Sequence, residues 1–289
     1  MGRAALQQIT AGTLPQFARI LLVTDFSSSS VAAVPVAKLM AESYEGTVTA
    51  VHVIFRDEDV GPNEAVIGTP EEIAALAEKQ ISAFLANNSL LKAESIVTTG
   101  PFEEAIANVV RDNEIEVVVV GTHARTGVGK IVLGSVAQRI FNSVSCPVIT
   151  VSRKVRGLGP KLNKILCTTD MSESSLRALP YALSLAKANN AELLLAYAAE
   201  GSKSAEYSPQ DLAELIPTAA RCWCRLETTQ VTSEPASGIV TLAASSAADL
   251  IVMCAERLTQ GPLYRFNVPF TTAYQIVANA PCPVLRVHG

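Results

Sequence analysis

The sequence predicts an α/β fold that occurs twice along the chain, each copy built on a parallel sheet. Three observations lead to this prediction. Four consecutive valines at residues 117–120, followed by a glycine, are typical of a strand buried on both faces. Apolar runs alternate with segments of helical spacing, which favours βαβ units with right-handed crossovers. The strand and turn at residues 19–27 (RILLVTDFS) recur at residues 164–172 (KILCTTDMS).

The first copy alternates strands and helices from its first residue to its last. Apolar runs predict strands at residues 19–24, 47–54, 95–98, 117–120 and 146–151. Apolar residues at helical spacing predict helices at residues 31–40, 71–85, 102–111 and 136–141. The serines at residues 27–30 suit the start of the first helix, and Pro35 is expected to bend it.

The second copy follows a linker at residues 152–163, which contains two glycines, a proline and four basic residues. Pro180 lies ten residues after Asp170, as Pro35 lies ten residues after Asp25. Strands two, four and five of the first copy recur at residues 191–197, 248–254 and 281–287. The sequence therefore predicts two domains, residues 17–152 and residues 162–288.

Composition limits the classes of function. The length of 289 residues fits about two domains, and 49% hydrophobic residues supply ample core material. No apolar run approaches the roughly 18 residues that span a bilayer, and residues 1–16 lack the apolar region of a signal peptide. We predict a cytoplasmic protein without membrane contact, whose residues 1–16 form a poorly ordered arm. The short basic group at residues 153–156 indicates a solvated linker rather than a nucleic-acid-binding patch.

The residues that most often carry catalysis or bind metals are scattered. The six cysteines are spread singly, and Cys222-Trp223-Cys224 lacks the two-residue spacer of a redox or zinc pair. The three histidines show no metal-binding spacing. No nucleophile–base pair or carboxylate cluster for two metals is visible. The sequence therefore predicts reduced, buried thiols and no catalytic or metal-binding residues.

A glycine-rich stretch at residues 121–135 (GTHARTGVGKIVLGS) lies between the valine strand and a helix. Ser135 stands at the expected N-cap, where unpaired backbone N–H groups carry partial positive charge. Glycines would let an anion approach the backbone, so the stretch is a candidate phosphate site. It is not a P-loop, because Ala124 stands at the first glycine and Ile131 at the hydroxyl residue. An ordinary tight connection without a ligand is the alternative.

The stretch resembles the signature of the universal stress protein family: Gly, two residues, Gly, nine residues, Gly, then Ser or Thr. Gly121, Gly134 and Ser135 match this spacing, and Ala124 replaces the second glycine. Both halves of the chain resemble universal stress protein domains. The resemblance implies two tandem Rossmann-like (adenine nucleotide alpha hydrolase-like) domains, each a five-stranded parallel sheet of order 3-2-1-4-5. It also implies binding of ATP or of AMP or ADP, with or without Mg²⁺, and a regulatory role in the stress response.

Site residues follow from the resemblance one by one. Asp25 matches the acidic residue near the ribose; the alternative is a carboxylate that only caps the turn into Ser27 and Ser28. Val53 matches the position that touches adenine; plain core is the alternative. Arg125 could pair with a phosphate or remain solvated, and His123 is expected to be loop filler rather than a base. The full predicted set is Val23, Thr24, Asp25, Val53, Gly121, Thr122, His123, Ala124, Arg125, Gly127, Gly134, Ser135 and Val136. It departs from the family at Val23, where ATP-binding members often carry proline, and at Ala124.

The second half departs much further from the signature. Alignment from strands four and five places Cys254, Arg257, Phe270 and Thr271 at the positions of Gly121, Ala124, Gly134 and Ser135. A phenylalanine where a phosphate needs bare backbone should block the site, and Asp170 is expected to serve as a turn cap. We therefore predict one nucleotide site per chain, in the first half.

The sequence leaves two other functions as alternatives, and it also suggests how the two domains associate. The chain could be an interaction module without a ligand, or a slow ATPase. The fifth strands, Pro147–Val151 and Pro283–Val287, both begin with proline, which suits an edge strand. Exposed edges need cover, so we predict an intramolecular pseudo-dimer through these strands, with a further homodimer as an option. Two independent domains on a flexible linker are the alternative.

Overall fold

The structure is a computed structural model. This structure describes residues 14–54, 68–122, 125–127, 130–132, 135–153, 155, 157–199, 207–255 and 272–288. All structural statements below concern these residues.

Apart from two short strands in the glycine-rich stretch, the first half follows the predicted order of strands and helices, with boundaries within about three residues of the prediction. Its elements are β1 (Arg19–Val23), α1 (Ser28–Ser43), β2 (Thr47–Ile54), α2 (Pro70–Asn87), β3 (Glu94–Thr99), α3 (Phe102–Asp112), β4 (Val117–Thr122), β5 (Arg125–Gly127), β6 (Lys130–Val132), α4 (Ser135–Ser143) and β7 (Val148–Ser152).

The second half repeats the pattern, with a 3-10 helix (Ser175–Ala178) where the first half begins an α-helix. Its other elements are β8 (Lys164–Thr169), α5 (Leu179–Asn189), β9 (Glu192–Ala198), α6 (Pro209–Glu214), α7 (Thr218–Arg221), β10 (Arg225–Val231), α8 (Pro235–Ser245), β11 (Leu250–Ala255), α9 (Thr272–Asn279) and β12 (Val284–His288). None of the helices described in either half is long and apolar enough to cross a membrane.

The five strands predicted for each half form a parallel sheet of order 3-2-1-4-5, which confirms the predicted fold class. In the first half the order is β3-β2-β1-β4-β7, and in the second half it is β10-β9-β8-β11-β12. The two sheets join into one ten-stranded sheet because β7 and β12 pair antiparallel. The paired residues are Val148 with Arg286, Ile149 with Leu285 and Thr150 with Val284.

A second contact between the halves lies under the residues that precede β1. The Phe17 side chain is completely buried and packs between Tyr44, at the end of α1, and Tyr181 of α5. The Tyr44 hydroxyl lies 2.9 Å from Ser184 Oγ, which in turn donates to the Pro15 carbonyl. Leu14 is also buried. The prediction of a poorly ordered arm is therefore wrong for residues 14–16, because apolar side chains hold this segment in the core.

The glycine-rich stretch contains a short ribbon that the sequence analysis did not predict. Strands β5 and β6 pair antiparallel, with Arg125 opposite Val132 and Thr126 opposite Ile131. The β-branched residues Thr126, Ile131 and Val132 favour extended backbone, but the surrounding glycines interrupt any strand-like alternation in the sequence.

Candidate functional site

Strands β1 and β4 lie side by side at the centre of the first sheet, where the strand order reverses. Such a switch point opens a crevice at the carboxyl ends of parallel strands. The register pairs Val23 of β1 with Val120 of β4, so Asp25 and Gly121 follow at the same edge of the sheet. The structure thus brings together the predicted carboxylate and the start of the glycine-rich stretch.

The Asp25 carboxylate is anchored by the turn into α1. Oδ1 accepts the Ser27 N–H at 3.0 Å and the Ser30 hydroxyl at 2.6 Å. Burial alone would raise the pKa of Asp25, but these hydrogen bonds from Ser27 and Ser30 outweigh it and hold the pKa below its ordinary value. Asp25 is therefore ionised at neutral pH. The carboxylate therefore caps the turn through Ser27 and Ser30, and its second oxygen can accept from a ligand hydroxyl.

Two valines of the predicted site form an apolar surface on one face of the sheet. Val23 and Val53 are 5% and 3% exposed and belong to the core that packs against α3 and α4. Thr24, the next residue after Val23, is also buried, and its hydroxyl accepts the Phe26 N–H at 3.0 Å. The burial of Val53 fits the plain-core alternative, and an adenine contact stays a prediction.

The close packing of α1 explains why residue 121 is a glycine, which the sequence alone did not show. A Cβ atom at this position would overlap the carbonyl group of Ser29 and approach the Ser30 nitrogen. The first turn of α1 therefore packs directly on the backbone of β4. Because no side chain fits here, the packing of α1 accounts for this glycine without a ligand.

Several predicted site residues are described in part or not at all. His123, Ala124 and Gly134 lie outside the described residues. Arg125 and Gly127 belong to β5, and Ser135 is the first residue of α4, but only their backbone is described. Thr122 is buried at the end of β4, and Val136 is half-buried against the core. β5 lies between β4 and α4 in the chain, and the roles expected for the residues of this stretch stay predictions.

Arg153 is a polar residue of this edge that the sequence analysis assigned to the linker. It follows β7, the neighbour of β4, and its guanidinium donates to the hydroxyls of Ser28 and Ser29, the latter at 3.1 Å. These serines form the start of α1, next to Asp25. The signal was available in the sequence, because a residue that directly follows strand five must lie at the same edge as the end of strand four.

The same edge of the second half has the carboxylate but a different first turn. Asp170 Oδ1 accepts the N–H and the hydroxyl of Ser172 at 3.0 and 2.5 Å. Burial would raise the pKa of Asp170, but hydrogen bonds from Ser172 and Ser175 lower it below its ordinary value. Cys254 stands where the first half has Gly121. In this half a 3-10 turn precedes the α-helix, which begins only at Leu179.

Comparison with known proteins assigns both halves of the chain to the same family. The family model described as "Universal stress protein family" matches residues 16–152 and 161–288. A curated relative, Universal stress protein MJ0531 of Methanocaldococcus jannaschii, is 27% identical over 148 residues, covering 47% of this chain and 83% of the relative. Universal stress protein MJ0577 of the same organism is 24% identical, covering 48% of this chain and 96% of the relative.

One solved structure extends the likeness to both halves. A universal stress protein from Archaeoglobus fulgidus superposes with a TM-score of 0.67 at 18% identity, covering 94% of this chain and 99% of that one. At this identity the likeness shows the shared fold alone. The fold and the two family matches together establish the tandem arrangement.

Proposed function

The chain belongs to the universal stress protein family, and on this premise we propose that its first half binds ATP or a related adenine nucleotide as a regulator of the stress response. The observation that carries the proposal is the Asp25 carboxylate. It is ionised, anchored through Oδ1, and placed at the switch point between β1 and β4. An acceptor-only group in this position suits the two hydroxyl donors of a ribose.

The base and the phosphates would use different parts of the crevice. In the proposal, Val53 and Val23 offer the adenine an apolar surface at the edge of the core. Backbone N–H groups from Gly121 to Gly127 and from Gly134 to Val136 hold the phosphates, together with the Ser135 hydroxyl.

Two cations would add to the phosphate site. Arg125 stands in the stretch between β4 and α4, and Arg153 donates only to hydroxyls among the described residues. Guanidinium groups bind phosphate through charge-assisted hydrogen bonds. Mg²⁺ would enter on the phosphates of ATP, as it usually does in nucleotide sites.

We further propose that the two domains, residues 17–152 and 162–288, form an intramolecular pseudo-dimer. The antiparallel pairing of β7 with β12 and the buried Phe17 support this assembly. All six cysteines are thiols rather than disulfide partners, which suits a reducing compartment such as the cytoplasm.

The nucleotide site can be tested by importing a residue from the second half. Gly134→Phe is expected to weaken ATP binding at least tenfold, because the side chain would occupy space beside the proposed phosphates. Calorimetric titration of the full chain measures this, with unchanged circular dichroism as the control for folding. Unaltered affinity in a folded variant would place the phosphates elsewhere, and a wild-type chain that binds no nucleotide would favour the interaction module.

Separation of the halves tests the pseudo-dimer. Residues 1–155 produced alone would expose β7 as an unpaired edge, so they are expected to self-associate or to unfold more easily than in the full chain. Sedimentation and urea denaturation measure both properties. A monomeric fragment as stable as the intact protein would contradict the pseudo-dimer.

A further inference from the structure

His52 is a half-buried titratable residue in β2 that the proposed function does not use. It directly precedes Val53 and, because successive side chains of a strand alternate, points to the opposite face of the sheet. From its contacts we infer that His52 is a positioning residue, which holds the turn that carries Asp25. This inference rests on the proposed function and adds a residue outside the predicted site.

The turn that carries Asp25 contains a strained backbone. Phe26, directly after Asp25, has a φ of 63°, which lies in the left-handed region that residues with a Cβ atom rarely adopt. Such a conformation persists only where the surrounding structure holds it. Part of that support comes from Thr24, whose hydroxyl accepts the Phe26 N–H at 3.0 Å. The placement of the Asp25 carboxylate therefore depends on what fixes the residues on either side of it.

His52 contacts both neighbours of Asp25. Its Nδ1 lies 2.9 Å from the carbonyl oxygen of Thr24. Because a carbonyl oxygen only accepts, Nδ1 carries the proton and donates. The imidazole also stacks on the ring of Phe26, with a centroid distance of 4.4 Å and an interplanar angle of 29°. One side chain thus fixes the peptide that leads into Asp25 and the side chain that follows it.

A second aromatic ring supports Phe26. Phe84 of α2 lies at a centroid distance of 6.0 Å with a tilt of 58°, within the range of favourable aromatic pairs. Phe84 is buried in the core of the first half, and Phe26 packs against the same core. The turn is therefore tied to β2 through His52 and to α2 through Phe84.

The second half repeats the strained turn but not the histidine. The residue after the aspartate again has a positive φ, 67° at Met171. The strand register places Tyr197 at the position of His52. A tyrosine ring has no donor where histidine has Nδ1, and Tyr197 packs edge-on against Tyr207 at a centroid distance of 5.4 Å. The histidine thus occurs in the half for which nucleotide binding is proposed.

His52→Asn and His52→Leu separate the hydrogen bond from the packing. Both new side chains branch at Cγ and have nearly the same size, and the asparagine amide nitrogen is bonded to Cγ as Nδ1 is in histidine. In calorimetric titrations of the full chain, ATP is expected to bind the His52→Leu variant about fivefold more weakly than the His52→Asn variant, the effect of one net hydrogen bond. His52→Phe keeps a ring without the donor and serves for the same comparison if His52→Leu does not fold.

The Asp25 carboxyl gives a second measurement that needs no ligand. Burial raises the pKa of Asp25, but hydrogen bonds from Ser27 and Ser30 hold it below its ordinary value, so a looser turn should let the pKa rise. NMR titration of the full chain is expected to show a higher Asp25 pKa in His52→Leu than in His52→Asn. Tyr197→Phe is the matched control in the second half and should leave this pKa and the ATP affinity unchanged.

The outcomes separate this inference from the proposed function. Equal Asp25 pKa values in folded His52→Asn and His52→Leu chains would overturn the inference, and so would equal ATP affinities if the wild-type chain binds ATP. A loss of stability without either change would also overturn it, because His52 would then only pack the core. A wild-type chain that binds no ATP would contradict the proposed function, while the pKa comparison would still decide whether His52 holds the turn.

Discussion

Phe17→Ala is expected to lower the free energy of unfolding by about 3–5 kcal/mol, the range for removing a large buried aromatic side chain. The phenylalanine ring is completely buried, with centroid distances of 5.3 Å to Tyr44 and 5.8 Å to Tyr181. Because Tyr44 belongs to the first half and Tyr181 to the second, the cavity would open between the two halves. The loss should therefore affect the stability of both halves.

Urea denaturation followed by circular dichroism measures this effect. Leu91→Ala is the control, because Leu91 is 82% exposed and its truncation should change stability by less than about 0.5 kcal/mol. A loss for Phe17→Ala of less than about 1 kcal/mol would mean that the halves do not depend on this contact.

Gly121→Cys is expected to destabilise the protein by about 3 kcal/mol, at the upper end of the range for overpacking. The new Cβ would overlap the Ser29 carbonyl, which is backbone and cannot turn aside. The first turn of α1 would have to move off β4, and the Asp25 carboxylate, which Ser30 anchors, would move with it. We therefore expect a loss of nucleotide affinity along with the loss of stability.

The reverse change in the second half is the matched control. Cys254→Gly removes a half-buried side chain that lines the open cleft at the carboxyl ends of β8 and β11. It should lower the free energy of unfolding by about 1 kcal/mol. Thermal and urea denaturation of both variants measure the difference. Equal losses for Gly121→Cys and Cys254→Gly would show that the contact between α1 and β4 is not the reason for the glycine.

The sheet could be predicted from the sequence because its strands are local apolar runs. The same order of strands and turns also occurs twice along the chain. The strand order then followed from the family resemblance, and it placed Asp25 and Gly121 at one edge. Elements whose form depends on distant residues could not be predicted. The late start of the α-helix at Leu179 is one example, because the preceding 3-10 turn contacts β11, which lies far along the chain.

The positions of Asp25 and Gly121 at one edge of the sheet could be predicted, but their contacts could not. The position of Asp25 follows from the end of β1, whereas its hydrogen bonds to Ser27 and Ser30 depend on how α1 begins. Gly121 was assigned to ligand approach, since a sequence does not show that Ser29 packs on it. Arg153 was assigned to the linker because its charge resembled that of its neighbours, although its contacts lie at the start of α1.

The most direct test of the account is a calorimetric titration of the full chain with ATP, comparing Asp25→Ala with Asp170→Ala. Both carboxylates cap equivalent turns through Oδ1, so both variants should lose about 1 kcal/mol of stability. The account predicts one ATP site per chain, weakened at least tenfold by Asp25→Ala and unchanged by Asp170→Ala. Two equal sites, or equal losses of affinity in the two variants, would contradict it.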